Sequence, residues 1–213
     1  MNTSVFDILP KIAKRLSLKK LPLEKYNNKI TYVFVDDLYP ERSIEVIKTY
    51  ESYGVKNIKL FTSKNISSPY LVKIPPITSK TEYSRFALKE LTNYITTDFV
   101  LISQWDGYII NPHNWNDDFF NYDYLGAPWW WNQNAKFGGN GGFSLRSKKL
   151  LELVKTFEYD GSIPEDEFIC VKIVEELISK GMKFSTQSFS KTFSVENEVS
   201  NNSFGFHNYV TQN

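Results

Sequence analysis

Two runs of apolar residues that each end abruptly in polar ones constrain this chain more than any other feature. Ile30 to Val35 stops at Asp36 and Asp37, and Asp98 to Ser103 runs straight into Gln104-Trp105-Asp106-Gly107-Tyr108. Short runs of β-branched and aromatic residues without polar alternation predict strands buried on both faces, which requires a mostly parallel sheet covered by helices. The intervening segments agree. Pro40 is placed to open a helix with the apolar stripe Ile44, Ile47 and Tyr50, and Gly54 to stop it. Asn57 to Thr62 reads as a second strand, and Tyr70 to Ile74 as a third closed by Pro75 and Pro76. Ser79-Lys80-Thr81-Glu82 has the capping-box pattern and predicts a helix whose inner face carries Tyr83, Phe86, Ala87, Leu91 and Tyr94. Strand and helix alternate, so the expected class is α/β: a central, mostly parallel sheet flanked by helices.

The second half reads differently. Asp117 to Trp131 is aromatic and irregular, and Phe137 to Ser147 holds four glycines around an apolar patch. Helices are expected from Lys148 to Phe157 and from Pro164 to Ser179, with Gly181 ending the second. The tail, Lys191 to Asn213, is polar except for Phe193, Val195, Phe204, Phe206 and Tyr209. No repeat and no linker divides the chain, so residues 1–213 are read as one domain. Residues 1–25 form a basic segment with Val5, Ile8, Leu9, Ile12 and Leu16 on one helical face. Such a segment either packs on the domain or lies on an anionic membrane surface.

Composition narrows the function classes. With 213 residues and 41% hydrophobic content, a packed core is expected rather than disorder. A net charge of +1 gives no drive toward nucleic acid. Cys170 is the only cysteine, which excludes an internal disulfide and a multi-cysteine zinc site. No apolar run approaches the ~20 residues that span a bilayer, and the start lacks the order of a signal peptide. A cytoplasmic protein, with peripheral membrane contact through the first segment as an option, is the resulting expectation.

Several segments carry chemistry. Open α/β sheets bind ligands beyond the carboxyl ends of their strands, where Asp36 and Asp106 fall. Either can be a turn residue or helix cap instead. The segment Phe137-Gly-Gly-Asn-Gly-Gly-Phe-Ser-Leu-Arg146 lets backbone approach a ligand closely, or simply makes a hairpin. Pro164-Glu-Asp-Glu-Phe168 places acids at a helix start, which the helix dipole favours by itself. Ser162 and Glu165 fit a second capping box, leaving Asp166 free. His207, in Phe204-Gly-Phe-His207, is structural or the completing ligand of a metal site shared with a distant Asp. Trp129, Trp130 and Trp131 cannot all enter one core. At least one is expected at the surface, as a sugar platform, a protein interface or a membrane contact.

Taken together, the runs QWDGYI, YDYLGAPWWW, GNGGFSLRS, PEDEF, FSVE and FGFH resemble a family of glycosyltransferase-like proteins with the GT-A fold. The resemblance covers roughly residues 30–207. It implies that Asp106 matches the last acid of the Asp-x-Asp motif that holds Mn²⁺ or Mg²⁺ on the donor diphosphate. Gln104 replaces the first acid, and its amide can bind the metal, its water or the ribose. His207 resembles the late histidine that completes the metal shell. Val35 and Asp36 match the nucleotide end of the site, Asn140, Gly141 and Gly142 the donor-sugar pocket, and Asp166 the base of inverting members. Arg85 either reaches a phosphate or forms a surface salt bridge. The implied activity is metal-assisted hexosyl transfer from a nucleoside-diphosphate sugar, by default a UDP-sugar, to a glycan or glycoconjugate. A sugar- or protein-binding module without turnover, and a hydrolase using Asp106 and Asp166, are the rival classes.

Overall fold

The structure, a computed structural model, describes residues 23–132, 135–198 and 200–208. The expected basic N-terminal helix therefore falls, but for residues 23–25, outside the described residues.

Strands β1 (Ile30–Val35), β2 (Ile58–Thr62), β3 (Leu71–Lys73) and β4 (Phe99–Ser103) form the parallel part of a six-stranded sheet. After β4 the chain leaves that sheet for β5 (Gly107–Ile109), then returns as β6 (Tyr124–Gly126) and β7 (Ser144–Ser147). The order is β3-β2-β1-β4-β7-β6, with β7 antiparallel to both of its neighbours. Alternate residues of β1 explain the unbroken apolar run. Tyr32 and Phe34 pack in one cluster with Tyr50 and Leu101, while Val33 points the other way, among Phe61, Val100 and Phe86. Both faces are covered, so both sets of side chains are apolar.

Helix α1 (Pro40–Ser52) begins on its proline and buries Val46, Ile47 and Tyr50. The Ser79 capping box is present: Ser79 Oγ accepts from Glu82 N at 3.2 Å, and Glu82 Oε2 accepts from Ser79 N at 3.1 Å. The helix it starts, α2 (Lys80–Arg85), does not stay regular. It widens into a π turn over Phe86–Glu90 and tightens into a 3₁₀ turn over Leu91–Tyr94. The extra residue in a π turn shifts the helical phase. Phe86, Ala87 and Leu91 are buried as expected, but Tyr83 and Tyr94 stand at the edges.

Helix α3 (Lys148–Lys155) is capped by Ser147, whose side chain accepts from Leu150 N. The single helix expected from Pro164 to Ser179 is broken. It comprises α4 (Glu165–Glu167), a π turn at Phe168–Lys172 and α5 (Val174–Ser179). The Ser162–Glu165 capping box does not form. Ser162 donates to Asp160 Oδ1 through both N and Oγ, and Glu165 turns inward to Arg146. An ion pair available in the core outcompetes the local cap.

The tail yields α6 (Gln187–Phe193), β8 (Ser194–Glu196) and β9 (Gly205–His207). Strands β5, β9 and β8 make a small second sheet, with Gly107 and Glu196 on either side of His207. The irregular and polar stretches of the sequence thus contribute four strands of three or four residues each: β6, β7, β8 and β9. No described helix is long and apolar enough to cross a membrane.

Candidate active site

The carboxyl ends of β1 and β4 open into a cleft of about 550 Å³. The turn that leaves β4 is tight: Gln104 N donates to Gly107 O at 2.9 Å, and Gly107 N to Gln104 O at 3.1 Å. Trp105 and Asp106 occupy its tip. Tyr50 of α1 anchors this turn from below. Its hydroxyl pairs with Ser103 Oγ at 2.7 Å and accepts from Ile109 N at 3.1 Å, all three being buried. Satisfied buried bonds of this kind contribute about 0.5–1.5 kcal/mol each, and these tie the end of β4 to the end of β5.

His207 reaches the same point from β9. Its Nε2 lies 3.1 Å from Gln104 Oε1 and 3.9 Å from Asp106 Oδ1. Asp106 is also held through its backbone, whose carbonyl accepts from Asn208 N at 2.9 Å. The imidazole lies close against two glycines: a Cβ on Gly107 would meet its Cδ2 at 2.7 Å, and a Cβ on Gly142 would overlap the ring itself. This is the close approach that the glycine-rich segment permits.

The residues fit a hard divalent cation in chemistry and in spacing. Asp106 Oδ1 is buried and has no hydrogen-bond partner. A carboxylate oxygen, an imidazole nitrogen and an amide oxygen form a donor set suited to Mg²⁺ or Mn²⁺. The 3.9 Å between Asp106 Oδ1 and His207 Nε2 is less than twice the ~2.1 Å of a typical bond to such an ion. No cluster of three or more His, Cys, Asp or Glu suited to a metal occurs among the described residues.

Across the cleft, Asp166 stands at the start of α4. Gly141 N donates to its Oδ2 and Glu167 N to its Oδ1, each at 2.9 Å. Burial, and then the neighbouring Glu165 carboxylate, push the Asp166 carboxyl up to about 7. Arg146 opposes them. Its guanidinium is fully buried, donates to Glu165 Oε1 at 2.9 Å and lies 5.1 Å over the Tyr124 ring. Ser84 of α2 braces the same glutamate, accepting from Glu165 N at 3.1 Å.

Most of the sequence-predicted residues meet here. Val35, Asp36, Gln104, Asn140, Gly141, Gly142, Asp166 and His207 line the cleft, and Asp106 stands beside His207 without lining it. Arg85 is not part of the lining; its guanidinium lies 6.0 Å from the Tyr159 ring. Asp36 faces the cleft, yet its carboxylate already accepts from Leu38 N, Tyr39 N and Ser43 Oγ, fixing the entry to α1. The three tryptophans divide. Trp129 is buried against Gly139, Trp131 is 49% exposed at the cleft, and Trp130 is 63% exposed beyond it.

Three participants escaped the sequence reading: Arg146, Tyr83 and Glu196. Tyr83 lines the cleft together with Gln104. Glu196 accepts from Asn140 Nδ2 at 2.6 Å and lies 3.6 Å from His207 Nδ1. A signal for Glu196 was available: Phe193-Ser-Val-Glu196 and Phe204-Gly-Phe-His207 share one alternation, which puts their last residues at matching strand positions.

The family model described as "Protein of unknown function (DUF5672)" matches residues 70–207, about two-thirds of the chain. No curated protein matches it. Among solved structures, the fold is similar to that of a glycosyltransferase involved in the glycosylation of the major capsid of PBCV-1. The identity is 15%, the match covers 86% of this chain and 94% of that one, and the TM-score is 0.53. The apo-form glycosyltransferase GlyE of Streptococcus pneumoniae TIGR4 is matched at 15% identity over 86% of this chain and 55% of that one, with a TM-score of 0.46. At 15% identity the likeness to the PBCV-1 glycosyltransferase speaks for the fold alone. The match to the family model shows that the chain belongs to DUF5672.

Proposed function

We propose that this chain is a glycosyltransferase that moves a hexosyl group from a nucleoside-diphosphate sugar, by default a UDP-sugar, to a glycan or glycoconjugate acceptor. The observation that carries the reading is that the His207 imidazole and the Asp166 carboxylate line one cleft, with the partnerless buried Oδ1 of Asp106 3.9 Å from His207 Nε2. The solved structure of similar fold, a glycosyltransferase involved in the glycosylation of the major capsid of PBCV-1, is consistent with it.

Each residue has a part in the reading. Val35 and Asp36, at the end of β1, border the nucleotide end of the cleft. Asp36 is largely engaged in capping α1, so recognition there falls mainly to backbone and to the acceptor capacity left on its Oδ2. Asn140, Gly141 and Gly142 line the donor-sugar pocket, where the missing side chains of the two glycines make room for Asp166 and His207 beside it. Asp106 and His207, with the Gln104 amide oxygen, would hold Mn²⁺ or Mg²⁺. Bound there, the cation would offset the charge of the departing diphosphate as a Lewis acid. Trp131 gives the acceptor sugar an exposed indole face at the rim, with Trp129 behind it.

Asp166 is the proposed base of an inverting reaction. Its carboxylate takes the proton of the acceptor hydroxyl while that oxygen bonds to the anomeric carbon, and the bond from that carbon to the diphosphate breaks. A base poised near neutrality suits this task. The two N–H donors from Gly141 and Glu167 fix the direction of its lone pairs. Glu165 is excluded from the role because it is tied to Arg146.

Calorimetry with UDP and Mn²⁺ tests the donor and metal parts together. Tight UDP binding that requires Mn²⁺, and is lost in Asp106→Ala, is the expected result. No binding, together with full activity of Asp106→Ala, overturns the metal role. Gln104 in place of an acid favours a second reading, a sugar-binding module without turnover. Product formation over a panel of donors, abolished by Asp166→Asn, separates the enzyme from the module.

A further inference from the structure

We infer that Glu196 is a positioning residue that selects the tautomer of His207 competent to bind a cation. The inference deepens the metal-assisted reading above and rests on it. His207 Nε2 lies 3.1 Å from Gln104 Oε1. An amide oxygen can only accept, so this contact puts the ring proton on Nε2. A nitrogen that carries a proton has no lone pair for a metal. For Nε2 to become a ligand, the proton must sit on Nδ1 instead.

Something must then receive the Nδ1 proton. Nδ1 is buried without a hydrogen-bond partner, and Glu196 Oε1 is 3.6 Å away. A movement of several tenths of an ångström closes that gap to a charge-assisted hydrogen bond. The register of the small sheet dictates the approach, since Glu196 of β8 is paired directly with His207 of β9. The carboxylate is itself fixed. Its side chain is 7% exposed, Oε1 accepts from Asn140 Nδ2 at 2.6 Å, and Oε2 accepts from Trp130 N at 3.4 Å. Asn140 Oδ1 in turn accepts from Gly142 N at 3.0 Å, tying this support to the glycine segment.

His207 therefore has two arrangements. In one, Nε2–H donates to Gln104. In the other, Nδ1–H donates to Glu196, and Nε2 is free to face Asp106 and the cation. One proton leaves the ring at Nε2 and one is taken up at Nδ1 by exchange with solvent, so the charge of the ring is unchanged. Gln104 favours the first arrangement and Glu196 the second.

The test is nitrogen-15 NMR of histidine-labelled full-length chain, paired with calorimetry of Mn²⁺ in the presence of UDP. Without cation, the spectrum should show the Nε2–H form. With Mg²⁺ and UDP it should switch to Nδ1–H. Glu196→Ala should weaken Mn²⁺ binding by about 10- to 100-fold, the usual cost of removing such an outer partner, and should keep the Nε2–H signature. Glu196→Gln retains an acceptor oxygen and should fall between wild type and Ala; it decides the matter if the alanine variant does not fold. Wild-type binding with undiminished affinity in the Glu196 variants, or an unchanged tautomer switch in them, overturns this inference alone. Wild-type chain that binds no Mn²⁺ with UDP overturns the metal-assisted reading as well.

Discussion

Replacing Arg146 by methionine should uncover how much charge the floor of the cleft holds in balance. Arg146 is fully buried, and its partner Glu165 has a side chain only 6% exposed. Methionine fills similar volume but leaves the Glu165 carboxylate without its cation. Removing one partner of a buried pair costs about 3–5 kcal/mol, because the other charge is left buried without compensation. For a chain of this size, each kcal/mol lowers Tm by about 2–4 °C, so a drop of roughly 6–20 °C is expected. Thermal melts of Arg146→Met and Arg146→Met/Glu165→Gln measure it. The double variant, which no longer holds the buried charge, should recover most of the loss. A single variant as stable as the wild type, or a double variant no better than the single one, refutes the reasoning.

Further outcomes follow from the same geometry. With the Asp166 carboxyl raised to about 7, wild-type activity should rise through an apparent pKa near 7, and Asp166→Asn should lose about 10²–10⁴-fold in kcat. That variant should also lack the decline in folding stability that ionisation of Asp166 imposes between about pH 4 and 7, read by chemical denaturation at several pH values. Gly142→Ala should displace the His207 ring, since its new Cβ would overlap the imidazole. Mn²⁺-dependent UDP binding should fall at least tenfold in calorimetry while the far-ultraviolet circular dichroism stays that of the wild type.

The sequence revealed most where burial was two-sided and local rules were unopposed. β1, β2 and β4 were legible as unbroken apolar runs because both faces of the sheet are covered. The Ser79 capping box formed because nothing in the core competes for Glu82, which is exposed. Glu165 has the same spacing from Ser162 and failed to cap, because Arg146 offered it a buried partner that no local pattern encodes. The three-residue strands β5, β8 and β9 are too short for periodicity to register, although they assemble the site. The two π turns are likewise invisible to a 3.6-residue pattern. Residue types at the site were better legible than their engagements: Asp36 is where it was expected, but its oxygens serve α1, and Trp129 belongs to the packing rather than to the surface.

The smallest sheet has the largest bearing on how this site tolerates change. In β9, Phe206 is locked by an edge-on contact with Tyr108, their ring centroids 4.7 Å apart, while His207 beside it faces Gln104 and Glu196. Neighbouring strand residues point to opposite sides. A slip of one position would therefore seat a phenyl ring where the imidazole belongs and turn the imidazole into the core. The spacing between Phe204 and His207 acts as a ruler. A point change among these residues removes one group, whereas a single inserted residue rewrites which atoms meet at the mouth of β4.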